Sequence, residues 1–116
     1  MAGYHVVADK VTAKSPRPAD ELELARAIRR ALAAKGLKAR DVGLVAVWAT
    51  GALARERAEL AVAMGLGRFA AGVTTVYDDP DPVARCAAAV ASADFAVAVA
   101  LVIGPDGNHA LAFSRP

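Results

Sequence analysis

The chain has few of the residues that cross-link small proteins or hold metal ions. It contains one cysteine, Cys86, and two histidines, His5 and His109, among 116 residues. A single cysteine excludes an intramolecular disulfide framework, and the two distant histidines do not complete a four-ligand zinc site around it. We therefore expect no metal ion and no cofactor, and a reducing, cytoplasmic environment.

Long hydrophobic runs and a strong charge of one sign are also missing. The longest apolar run, residues 95–103, is far shorter than the roughly 20 residues that span a bilayer, and residues 1–10 lack the pattern of a signal peptide. The formal net charge is only +2, from 14 basic and 12 acidic residues. This charge is too weak to drive binding to phosphate backbones. We expect neither a membrane nor a nucleic acid as partner.

Aromatic residues make up only 5% of the chain, whereas hydrophobic residues make up 56% and charged residues 22%. This composition excludes a mainly disordered chain, and the length fits one compact domain over residues 1–116. Alanine is the most common residue. The core must therefore combine small side chains with closely approaching backbones.

Hydrophobic spacing predicts a layered α/β fold. Residues 42–48 are apolar without alternation, which is typical of a strand covered on both faces. Residues 21–35 and 52–64 have apolar positions at helical spacing, and Gly36 and Gly65 are the expected ends of these two helices. Residues 104–107 predict a chain reversal. The element order is β-α-β-α-β-α-β-β, a mixed sheet with an antiparallel edge. The other elements are predicted at residues 4–8, 73–77, 80–92, 93–104 and 109–113.

The third predicted helix has the most informative pattern. Residues 83–91 contain one charge and are small on every face. A helix that is apolar all round is normally buried all round, and a chain of this size has no further layer to cover the outer face. We therefore expect another protein surface to cover it, with Val83, Cys86, Ala87 and Val90 at the interface. The alternative is an exposed alanine-rich helix, which costs little because alanine buries little area.

Several polar residues have a simple structural explanation. Asp78, Asp79 and Asp81 resemble cation ligands, but helix capping and the helix dipole account for them more economically. Cys86 lies in an apolar helix, where its thiol is a packing group instead of a nucleophile. His5 and His109 have no catalytic companions at close spacing, and residues 65–67 lack the context of a dinucleotide loop.

A basic strip follows the first helix. Arg26, Arg29 and Arg30 lie at positions i, i+3 and i+4, so they share one side of the helix. Most such strips are solvated surface, and the alternative is a contact with an acidic protein partner.

Four segments follow one another as they do in a known family. They are residues 3–9, 24–32, 56–59 and 108–113. In this order they resemble the carboxy-terminal half of β-ketoacyl synthases, especially the chain-length-factor subunits that pair with ketosynthases in type II polyketide systems. The resemblance covers nearly the whole chain and implies one thiolase-like half-domain, whose third helix packs on that of another half around a pseudo-twofold axis.

The positions that matter for condensation differ from the family pattern. Trp48 stands where active enzymes have a histidine, Tyr77 where they have a lysine, and Pro82 near their second histidine. An indole and a proline ring cannot polarise the malonyl carbonyl or stabilise the enolate. The nucleophilic cysteine belongs to the amino-terminal half. The resemblance thus implies no catalytic residue.

The implied function is that of a non-catalytic subunit in polyketide or fatty-acid biosynthesis. It would act as a homodimer or by pairing with a ketosynthase-type chain, and Arg26, Arg29 and Arg30 would contact an acidic acyl carrier protein.

Two alternatives remain open at this point. One is a small metabolite-binding or enzymatic α/β domain with its site at a dimer seam, using His5, Asp9, Tyr77 or His109. The other is a convergent likeness, since small α/β domains such as those of cobalamin biosynthesis share this series of elements. A specific small ligand that raises the thermal stability would favour either of them.

Overall fold

The computed structural model describes residues 5–11, 21–49, 51–104 and 107–115. These residues form an α/β fold with the predicted order of helices and strands. Two short 3-10 helices, at Ala39–Asp41 and Gly67–Gly72, were not predicted. The main elements are β1 (His5–Val11), α1 (Glu21–Ala33), β2 (Val42–Ala49), α2 (Ala52–Leu66), β3 (Thr74–Val76), α3 (Pro82–Ala91), β4 (Val97–Gly104) and β5 (Gly107–Ser114).

The described strands form one mixed sheet in the order β1-β5-β4-β2-β3. β2 is parallel to both β3 and β4, whereas β5 is antiparallel to β4 and to β1. The predicted terminal hairpin is therefore confirmed, with its register running from Val97 opposite Ser114 to Gly104 opposite Gly107. The central strand is β4, and β3 lies at one edge of the sheet.

Apolar side chains lie on both faces of the sheet because β2 and β4 are hydrophobic at nearly every position. On one face, Val45, Val99 and Leu101 pack with α1 and α2. On the other face, Ala46 and Ala100 pack with α3 and with Phe113 of β5. Small residues on the α3 side let this helix approach the sheet closely.

The two glycines that were predicted to end helices have different roles in the structure. Gly36 has a φ of +67° just beyond α1, as expected of a helix terminator. Gly65 was predicted to end α2 but lies inside the helix, where a Cβ atom would be 3.4 Å from the Cβ of Ile28. The residue that ends α2 is Gly67, with a φ of +60°. The lack of a side chain at Gly65 therefore lets α1 and α2 pack closely. Asp20 and Thr50, which precede α1 and α2 and are of residue types that cap helices, lie outside the described residues.

The start of α3 also differs from the prediction by two residues. Asp81 is the N-cap and accepts a hydrogen bond from the Ala84 backbone N–H at 3.1 Å, and Pro82 occupies the first helical turn. Asp79 lies before the helix, where its backbone N–H donates to the Val47 carbonyl at 3.0 Å. This bond ties the loop after β3 to the end of β2.

No helix in the described ranges is long and apolar enough to cross a membrane.

Candidate functional site

The four residues predicted to meet a partner lie on the inner side of α3. Cys86 and Val90 are fully buried at 0% exposure, and Val83 and Ala87 pack partly buried against the same core. The chain's own sheet covers Cys86 and Val90 completely, so the interface prediction is corrected for these two residues, and it stays a prediction for the half-buried Val83 and Ala87. The physical reason is that a helix without a polar stripe does not show which side meets its own sheet. The larger apolar side chains of α3 fill that contact, and its alanines and Arg85 lie toward the outside.

The outward side of α3 is a row of alanines. Ala84, Ala88 and Ala91 are exposed and lie four and three residues apart, so they share one side of the helix. Next to this row, an open groove of about 730 Å³ separates α3 from the edge strand β3. Its lining is mixed: the apolar part includes Val76, Ala89 and Phe95, and the charged part consists of Asp79, Asp81, Arg85 and Asp94. The alanine row and the groove together form the surface that we call the α3 face.

The carboxylates at the start of α3 form hydrogen bonds and ion pairs within the chain. Asp79 is buried, accepts a hydrogen bond from the Asp81 backbone N–H at 3.0 Å and forms an ion pair with Arg85. Asp78 pairs with Arg55 at 3.2 Å. The capping explanation for this acidic cluster is therefore confirmed for Asp81. Within the described residues, no group of three or more His, Cys, Asp and Glu side chains is arranged to hold a metal ion.

Trp48, Tyr77 and Pro82 are the three positions that the resemblance compares with catalytic residues of condensing enzymes. Trp48 is half-buried near the end of β2, and Pro82 begins α3 on one side of the sheet. Tyr77 packs instead against the core under α1 and α2. Burial raises the pKa of Tyr77, Glu59 raises it further, and Arg55, whose guanidinium lies 4.8 Å from the ring centre, lowers it. Tyr77 therefore stays a neutral phenol at neutral pH.

The residues of the dimer-seam alternative are spread over the sheet. His5 lies opposite Ser114, whereas His109 lies opposite Lys10 on the same ladder. Five residues along a strand correspond to roughly 16 Å. Asp9 is opposite Ala110 in β5, and Tyr77 follows β3 at the other edge of the sheet. Within one chain, these four residues do not converge on a common point.

The basic strip lies on the exposed side of α1. Arg26, Arg29 and Arg30 are all exposed, and the Arg29 Nη2 atom donates a hydrogen bond to the Met64 carbonyl at 2.6 Å. This bond links α1 to the last turn of α2. A role in binding a carrier protein stays a prediction.

Exposed apolar side chains on α2 were not predicted. Arg55, Glu56 and Glu59 are exposed on this helix, and Leu53, Leu60 and Met64 are exposed as well. Their spacing of seven and four residues is the signal that would have shown it. A buried amide was missed as well. Asn108 is 1% exposed, and neither its nitrogen nor its oxygen has a hydrogen-bond partner in the part of the chain that the structure describes.

No protein-family model matches this chain, and no curated protein matches it. The likeness to condensing enzymes therefore depends on the residues of the sequence alone.

Proposed function

We propose that this chain is a non-catalytic, thiolase-like subunit that pairs with a ketosynthase-type chain in polyketide or fatty-acid biosynthesis. The observation that carries the proposal is the α3 face, where Ala84, Ala88 and Ala91 are exposed beside an open groove. We expect the third helix of another thiolase-type half to cover this surface.

Small side chains make the α3 face suitable for a second helix. Helices pack with axes 8–10 Å apart, and alanines at the contact favour the shorter distance. Each methyl group contributes little alone, but a continuous row excludes water along the whole contact. Arg85 sits beside this row and is held in place by the buried Asp79 carboxylate. The ion pair therefore fixes the position of the Arg85 side chain at the contact with the partner.

The absence of catalysis follows from the side chains at the corresponding positions. Trp48 and Pro82 have no group that transfers a proton, and the raised pKa keeps Tyr77 protonated. The buried Cys86 is the cysteine of this chain, and burial raises its pKa to about 12, so it is not a thiolate nucleophile. Binding, not chemistry, is the property that these residues support. The exposed strip of Arg26, Arg29 and Arg30 would be the contact for an acyl carrier protein.

Binding to a ketosynthase of the same organism tests the proposal. We expect the full chain to co-purify with the ketosynthase, and Ala88→Glu to weaken binding about tenfold or more because a charge enters the centre of a dry contact. Leu60→Glu is the matched control, since it places the same carboxylate on α2 at the opposite side of the sheet. Equal binding by both variants, or no binding by the unmodified chain, would contradict the proposal.

A further inference from the structure

The groove between α3 and β3 lies beside an open edge of the sheet. Among the described strands, β3 has β2 as its single hydrogen-bonded neighbour, so the backbone groups on its other side have no partner strand. Such an edge can accept a strand from another chain. Thr74 and Val76 of β3 line the groove. A strand added to β3 would therefore direct every second side chain toward the groove.

The base of the groove is apolar. Val76 and Phe95 are half-buried, pack against the core on the α3 side of the sheet and line the groove. Ala88 lies on the helix side of the groove, where its small side chain leaves space. Apolar side chains of an added segment would complete the burial of Val76 and Phe95, which favours binding in proportion to the area removed from water.

Two carboxylates in the groove are not neutralised. The charged residues of its lining are Asp79, Asp81, Arg85 and Asp94. Asp79 is buried and balanced by Arg85. Asp81 caps the start of α3, and Asp94 accepts a hydrogen bond from the Ser92 hydroxyl at 2.9 Å. Neither Asp81 nor Asp94 forms an ion pair with another described residue.

The ion pairs of α2 do not change this balance. Asp78 is next to Asp79 in the chain, but its carboxylate pairs with Arg55 at 3.2 Å, and neither partner lines the groove. Arg55 also pairs with Glu59 at 3.6 Å. The groove is thus acidic on a chain whose formal net charge is +2, and charge complementarity favours a basic occupant.

The two carboxylates lie at opposite ends of α3. Asp81 precedes the helix and Asp94 follows it, and ten helical residues extend over roughly 15 Å, so the two carboxylates are roughly 15–20 Å apart. An extended chain covers this distance with about six residues. Positions i and i+6 of a strand lie on the same side, so two basic side chains at this spacing would reach both carboxylates.

We propose that the groove binds an extended basic segment of another protein, which adds to β3 as a strand. Two lysine or arginine side chains, about six residues apart, lie near Asp81 and Asp94. Apolar side chains between them contact Val76 and Phe95. The proposal goes beyond the pairing with a ketosynthase, because that pairing is a contact between helices on the alanine row, whereas this segment is a strand in the groove.

Titration of the full, nitrogen-15-labelled chain with a synthetic seven-residue peptide tests the proposal by NMR. The peptide has blocked termini, lysine at both ends, valine at the third and fifth positions and threonine elsewhere. We expect saturable shifts of the β3 amides, and none with a peptide that has glutamate at both ends. Equal binding of the two peptides, or no binding of the lysine peptide, would overturn the proposal.

Asp94→Lys tests the charge contact. Asp94 is exposed, so the variant should fold, and circular dichroism checks this. We expect the dissociation constant of the lysine peptide to rise about fivefold or more, because the variant brings like charges together. Glu56→Lys is the matched control, since it changes the net charge equally on α2, at the opposite side of the sheet. Equal losses in both variants would show general charge attraction and overturn the groove as the site. Asp94→Asn is a second variant, with a smaller loss, if Asp94→Lys does not fold.

N-methylation of the peptide tests the strand pairing. The backbone N–H groups of alternate strand residues point to opposite sides, so one of the two alternate sets faces β3. Methylation of that set should abolish binding, and methylation of the other set should leave it nearly unchanged. The same effect of both sets would overturn strand addition. These results are distinguishable from a failure of the ketosynthase pairing, because Ala88→Glu tests that pairing with a different binding partner.

Discussion

Cys86 shows how an alanine-rich core changes the chemistry of a single side chain. It is fully buried between α3 and the sheet. Burial raises the pKa of its thiol to about 12, a hydrogen bond with the Ala46 backbone lowers it, Asp79 raises it and Arg85 lowers it. Burial is the largest of these effects. The sequence was sufficient to predict an unreactive thiol, because a small apolar helix surrounds it.

The raised pKa of Cys86 has a measurable effect on stability at alkaline pH. The unfolded thiol loses its proton near 9 and the folded thiol near 12, so the unfolded chain binds fewer protons between these values. The contribution to stability is therefore complete below about pH 9 and is lost as pH rises toward 12. Between pH 9 and 10 we expect a loss of about 1 kcal/mol.

Urea unfolding of the wild-type chain and of Cys86→Ala over this pH range measures the effect. Other groups, including Tyr77 and the lysines, titrate in both proteins, so only the difference between the two slopes reports on Cys86. If both proteins lose stability equally above pH 9, the thiol is not buried as described.

At the scale of elements, the end of α3 departs from the usual preference for glycine after a helix. The backbone of Ala93 has a φ of +68°, a left-handed conformation that normally favours glycine. The Ala93 N–H donates to the Val90 carbonyl and the Asp94 N–H donates to the Ala89 carbonyl, each at 3.1 Å. Alanine thus occupies a position that terminates a helix, and no glycine marks it in the sequence.

Replacing Ala93 by glycine should stabilise the protein. Relief of the left-handed alanine conformation is worth roughly 0.5–1 kcal/mol in the free energy of unfolding. Ala91→Gly is the matched control, because Ala91 is also exposed but has a helical backbone, and there glycine should destabilise by a similar amount. Chemical denaturation measures both variants. A loss of stability in Ala93→Gly equal to that in Ala91→Gly would show that residue 93 is not left-handed.

Element types were predictable here because apolar spacing differs between strands and helices, but several ends were not. Gly65 and Gly67 are equally good terminators in the sequence, and Pro80 and Pro82 are equally good first-turn prolines. Gly65 lies inside α2, where it contacts Ile28, and Asp81 provides the side-chain cap that starts α3 at Pro82. Contacts between helices and strands decided which glycine ends α2 and which proline begins α3. No local sequence pattern contains these contacts.

At the scale of the whole molecule, the order of the strands makes the central strand β4 the most resistant to local opening. β4 has hydrogen-bonded neighbours on both sides, and its residues from Val97 to Leu101 are 0–3% exposed. Among the described strands, β3 pairs with β2 alone, over Leu44 to Ala46, and Thr74 is exposed. Opening of the molecule should therefore begin at the β3 edge.

Hydrogen exchange measures this gradient. We expect the amides of β4 to exchange slowest and those of β3 to exchange fastest among the described strands, because exchange in β4 requires the sheet to separate on both sides. Exchange of β3 as slow as that of β4 in the isolated chain would contradict this order.

The sequence by itself determined the α/β class, the order of the elements and the unreactive cysteine. Each of these depends on the spacing and chemistry of neighbouring residues. Tertiary structure alone decided which side of α3 meets the sheet, because a helix with almost no polar side chains has no local feature that distinguishes its sides. The contacts of the sheet with Cys86 and Val90 left the alanines of α3 outside, and the contact with Ile28 kept Gly65 inside α2 instead of at its end.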